Sequence, residues 1–194
     1  MKEVISSGFT PQRKLIGVNN RYGNSGIKKQ QGTTVIKYDT LPIDGSTTYR
    51  FFEGANNRDF PLTNVGSEGN RLPVGSSMIC ERAYISVVDK EGDDYTSVVG
   101  IQATVNAFMG EFTLQVANKE CIKNVPLMSW IPLFNKNSGS VDYNNFEFDT
   151  QVVLQPLLEY IAVVRFPALA ASLNGYLRLT LEGTGSIISP SSPF

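Results

Sequence analysis

Residues 111–117, EFTLQVA, decide how the rest of the chain is read. Phe112, Leu114 and Val116 alternate with Glu111, Thr113 and Gln115. Successive side chains point to opposite sides in an extended strand, so this pattern builds one apolar face and one polar face. Asn118-Lys119-Glu120 then suits a hairpin turn, and CIKNVPL offers a short partner. The same period recurs along the chain. In 77–88, SMICERAYISVV, Ala83, Ile85 and Val87 share a face, with Tyr84 and Ser86 opposite. In 146–155, FEFDTQVVLQ, Phe146, Phe148, Thr150, Val152 and Leu154 line up, and in 176–182, YLRLTLE, so do Leu177, Leu179 and Leu181.

Three further segments complete the count. STTYRFFE, residues 46–53, is rich in Thr and aromatics. EYIAVVRF, 159–166, is a nearly unbroken apolar run, as in a strand covered on both faces. SVVGIQATVNAF, 97–108, places Val99, Ile101, Ala103, Val105 and Ala107 on one side. A helical period also fits this last segment, but its β-branched content and Gly100 favour a strand. Between these runs lie two long connections, 54–76 and 126–145, loaded with Gly, Asn and Pro. PALAASLNG, 167–175, suits a helical turn closing at Asn174-Gly175. About eight short strands with irregular loops predict an all-β fold, a two-sheet antiparallel sandwich that is jelly-roll-like. An immunoglobulin-like sandwich is disfavoured because Trp130 follows both cysteines instead of lying between them.

The chain has 194 residues, enough for one domain with a sizeable core. Residues 1–45 read as an extended basic arm holding a short strand at 33–38, TTVIKY; 46–188 as the sandwich body; and 189–194 as a Ser/Pro-rich tail. Net charge is −1, but its distribution is uneven. Residues 1–37 carry seven Lys and Arg against Glu3, which leaves them at +6 and the other 157 residues at −7. Arg13, Lys14, Arg21, Lys28 and Lys29 are the candidate partner-binding residues, since a cationic arm on an acidic body suits an acidic neighbour or nucleic acid. No apolar run is long enough for a membrane-spanning helix, and the first residues lack the apolar centre of a secretory signal. Cys80 and Cys121 both fall in strand-like runs and read as buried thiols, with a cross-strand disulfide as the alternative.

The chain contains no histidine, which removes Ser-His-Asp and Cys-His catalysis and His-ligated zinc. DKEGDD, 89–94, reads as an acidic turn before it reads as a calcium loop. Glu147 and Asp149 share one strand face, a spacing a glycosidase pair could use, but opposite Phe146 and Phe148 they describe a solvated outer face. GNSG at 23–26 and GTG at 183–185 read as turns, too short for phosphate loops. Tyr49, Phe51, Tyr84, Trp130 and Tyr143, if exposed, could stack on sugar rings. No enzymatic activity, metal or cofactor is expected.

The basic arm, the strand count and the Pro/Asn loops resemble viral jelly-roll coat and decoration proteins. FPLTNVGSEGNRLPVGSSMICERAYISVV, PLMSWIPLFNK and LRLTLEGTGSI look like stretches of virion structural proteins of tailed bacteriophages, the crAss-like group among them. The resemblance covers roughly residues 46–188 and has no diagnostic motif. It implies an auxiliary (decoration) or coat protein of a capsid, assembled in the host cytoplasm and docking through its arm and loops. The implied partners are other virion proteins, further copies of itself and, electrostatically, packaged DNA, with no membrane and no small-molecule substrate. The alternative is a carbohydrate-binding sandwich, a receptor-binding or lectin-like module.

Overall fold

A computed structural model describes residues 30–66, 69–91, 94–100, 109–135, 140–167 and 175–188. The described residues form ten strands. β1 (Gln30–Pro42), β10 (Gly175–Ile188), β3 (Ser77–Glu91), β8 (Ser140–Leu154) and β7 (Ile131–Asn135) lie side by side in one antiparallel sheet. β4 (Asp94–Gly100) pairs with the far half of β3. The second sheet has the order β2 (Thr48–Phe51), β9 (Tyr160–Arg165), β5 (Glu111–Val116), β6 (Lys119–Pro126).

The topology becomes clear when β4 and β7 are set aside. The remaining eight strands then pair first with last, second with seventh, third with sixth and fourth with fifth. The chain is one long antiparallel ribbon, doubled back on itself at the β5–β6 hairpin and rolled so that its partners alternate between sheets. That is the jelly-roll order, and the all-β sandwich reading holds. The alternating faces meet in the middle. Ala83, Ile85 and Val87, Leu177, Leu179 and Leu181, and Val152 and Leu154 come from the large sheet. Phe51, Phe112, Leu114, Tyr160, Ala162 and Val164 come from the small sheet.

Four local readings need correction. Residues 30–42, assigned to the arm, belong to the sandwich, because they form the 13-residue β1, paired along its length with β10. The long connection 126–145 holds β7 and the start of β8, whose polar residues suit a sheet margin as well as a loop. GTG is no turn but the middle of β10, at a register shift between Glu182 and Gly183. A Cβ on Gly183 would overlap the Ile79 carbonyl, and one on Gly185 would lie 3.0 Å from the Ser77 carbonyl and press on Val35. These glycines mark close backbone approach inside a sheet. The β5–β6 turn is Ala117-Asn118, one residue earlier than expected, with φ of 51° and 62°. Positive φ at both central residues is what the tight hairpin turn requires. The helical turn, the tail at 189–194 and the 101–108 half of the predicted strand lie outside the described residues.

One buried ion pair fastens the open side of the sandwich between β1 and β2. Asp39 faces inward from β1 and is fully buried. Its carboxylate accepts from Arg58 Nε at 3.1 Å and Nη2 at 2.6 Å, and from the Phe52 backbone N–H at 2.6 Å. Three donors satisfy the charge that burial would otherwise penalise. The connection after β2 is thereby held against β1.

Candidate functional site

Arg13, Lys14, Arg21, Lys28 and Lys29 lie outside the described residues. What the structure places is the strand that follows them. β1 is an edge strand, and an edge presents unpaired backbone groups. Part of this edge is closed by the 58–66 connection. Tyr38 N–H donates to Asn64 Oδ1 at 2.8 Å, Asn64 Nδ2 donates to the Ile36 carbonyl at 2.8 Å, and Thr63 Oγ1 donates to the Tyr38 carbonyl at 3.0 Å. The Asn64 amide stands where a further strand would pair.

Three of the five aromatics considered for sugar stacking, Tyr49, Phe51 and Trp130, are in the core. Trp130 is 1% exposed. Its ring stacks on Phe146 at 5.7 Å between centroids and meets the edge of Phe112 at 5.2 Å. Tyr49 and Phe51 are buried as well. Tyr84 is half-buried on the outer face of the large sheet, its hydroxyl donating to Glu182 at 2.5 Å. The side chain of Tyr143 lies outside the described residues. An indole is large and apolar enough for the core to claim it, whichever role its sequence neighbours suggest.

A concavity with a volume of about 300 Å³ lies on the outer face of the small sheet. Register brings its lining together. Arg50 of β2 lies opposite Val163 of β9, which lies opposite Thr113 of β5. Thr48 lies opposite Arg165, two pairs along and so on the same face. Gln115 of β5 and Glu120, Lys123 and Asn124 of β6 close the other side. The hollow has a structural cause. The β5–β6 register shifts between Phe112 and Leu114 and again between Leu114 and Gln115, and such shifts bend a strand away from its partner's plane. Val163 points to the solvent side yet is only 5% exposed, so the walls rise well above it. Asn124, with φ of 47°, is anchored by Thr113: its N–H donates to Thr113 Oγ1, which donates back to Asn124 Oδ1, both at 3.2 Å.

The charges of this hollow differ in how they are held. Arg50 makes a two-point contact with Glu53, which raises its pKa above the ordinary value. Lys123 pairs with Glu120 at 3.0 Å. Arg165 is exposed and makes no ion pair with another described residue. Arg50 and Arg165 are legible as outward residues because each interrupts an apolar run. Their convergence with Lys123 depends on pairing between strands far apart in sequence, which no local pattern carries.

The remaining candidates resolve simply. Glu147 and Asp149 are exposed on the outer face, and Glu147 pairs with Arg82 at 3.4 Å. Of DKEGDD, Asp89, Lys90 and Glu91 end β3 and Asp94 opens β4, with Glu91 opposite Asp94. Cys80 is buried and Cys121 exposed, both as free thiols. The expectation of two buried thiols fails for Cys121 because β6 is the sheet's outer edge. A smaller apolar cleft of about 130 Å³ lies among Val35, Leu72, Pro73 and Met78, with Lys37 on its wall. Burial lowers the Lys37 pKa. No helix among the described residues is long and apolar enough to cross a membrane. No family model matches the chain, and no curated protein or solved structure matches it.

Proposed function

We propose that this chain is a structural subunit of a phage particle, an auxiliary (decoration) or coat protein that docks through its arm and loops. The observation that carries this reading is the placement of exposed apolar side chains in the connections at both ends of a jelly roll. Met109 and Met128, 61% and 54% exposed, sit at one end, where the Leu127 N–H donates to the Gly110 carbonyl at 2.9 Å. Val74 and Leu157, 71% and 55% exposed, sit at the other, where the Leu157 N–H donates to the Leu72 carbonyl at 2.9 Å. Apolar groups gathered on loops of a rigid scaffold suit contacts between subunits. The cationic residues 1–29 immediately precede an edge strand in the sequence. Fold alone assigns no function, so the loops and the charge carry the argument. The carbohydrate-binding alternative loses its main support, because Trp130 is a core residue.

Quantitative mass spectrometry of virus particles encoded by the same genome tests the proposal. The chain is expected in many copies per particle, with fewer copies when residues 1–29 are deleted. Particles that lack the chain altogether would sink the reading.

A further inference from the structure

We propose that the hollow on the outer face of the small sheet binds an oxyanion, the phosphate or carboxylate group of a small ligand. Three cations and one carboxylate line it, Arg50, Lys123 and Arg165 against Glu120. Glu53, which engages Arg50, and Glu111, opposite Arg165, bring the surroundings to three cations against three carboxylates, so the hollow is distinguished by how its cations are held and not by its net charge. The cations are not equivalent. Arg50 and Lys123 are engaged by Glu53 and Glu120. Glu111 lies opposite Arg165 across the β5–β9 register but forms no ion pair with it. The Arg165 guanidinium therefore keeps its planar fork of N–H donors for a ligand, the geometry that suits two oxygens of one carboxylate or phosphate.

The surroundings add specificity. The floor is Val163, apolar and 5% exposed, so an occupant displaces water from the base of the hollow. Asn124 spends its side-chain oxygen and backbone N–H on Thr113, which fixes the residue and leaves its Nδ2 amide as a further donor. No aromatic residue lines the hollow, so recognition rests on charge and hydrogen bonds. A volume of about 300 Å³ admits a small ligand or the acidic end of a larger one.

The test is a titration of the full chain at constant ionic strength, followed by amide chemical shifts. Inorganic phosphate is one arm and acetate the other. Saturable shifts at Gln115, Asn124 and Arg165 are expected below about 10 mM of at least one probe. R165A should weaken that binding roughly tenfold or more, the loss of a charged hydrogen-bond pair. R82A, on the opposite sheet, should leave it unchanged, and the spectra themselves report whether each variant is folded. Saturation by phosphate assigns a phosphate-bearing ligand, and saturation by acetate assigns a carboxylate. No saturation with either probe overturns the proposal, as does binding that R165A leaves intact or that R82A weakens equally. Loss of this site would leave the particle reading untouched, since the two rest on different surfaces.

Discussion

At the scale of single residues, Gly183 makes the sharpest demand. It lies in the interior of β10, where glycine ordinarily weakens a strand. It is required there because the neighbouring β3 backbone at Ile79 occupies the space a Cβ would need. Backbone cannot swing aside as a side chain tip can. Gly183→Ala is expected to cost at least about 2 kcal/mol, read as a shift of the urea midpoint. An unchanged midpoint would mean that the two strands separate freely at this point. Read alone, GTG is indistinguishable from a turn, because glycine serves both turns and close approach. Only the partner strand tells them apart.

At the scale of elements, β1 shows that residues from 30 onward belong to the sheet. Deleting residues 1–29 leaves the strand whole, whereas deleting 1–37 removes eight of its thirteen residues. The longer deletion strips the edge of β10 and leaves Asp39 and Arg58 without the strand that holds them together. Equilibrium urea unfolding should show the shorter variant matching the full chain. The longer one should lose several kcal/mol, on the order of 3–5, and scatter light as its newly bared edge associates. Equal stability of the two truncations would show that β1 contributes little to the fold. TTVIKY announces a strand through its β-branched residues. Its true length was hidden, because Gln30, Gln31 and Gly32 carry no alternation and are extended only through pairing with Ser186–Ile188.

At the scale of the whole molecule, two buried protons link folding to pH. Burial pushes both the Cys80 thiol and the Tyr160 hydroxyl well above their ordinary values. The folded state therefore keeps these protons to higher pH than the unfolded chain does. Once pH passes the unfolded cysteine value, near 8.5, the unfolded state binds fewer protons, and stability falls as pH rises. The unfolded tyrosine, near 10, adds a second loss. Melting temperatures followed by circular dichroism from pH 7 to about pH 10.5 should decline in this order. Cys80→Ala should remove the first part of the decline. A melting temperature that stays level across the range would mean that these groups are not sealed within the sandwich.

The sequence by itself determined which residues face inward along each strand, because alternation with a period of two is a property of neighbours along the chain. Leu177, Leu179 and Leu181 were readable as a buried row without knowledge of any partner. From the same local information came the all-β class and the separation of a cationic leader from an acidic body. The tertiary structure alone decided the pairings, such as Thr34 with Thr184, which join positions at opposite ends of the chain. It also decided that Trp130 belongs to the core and that Arg50, Lys123 and Arg165 share a hollow. The physical reason is that register between distant strands is set by the packing of all inner faces at once. No window of sequence contains that sum.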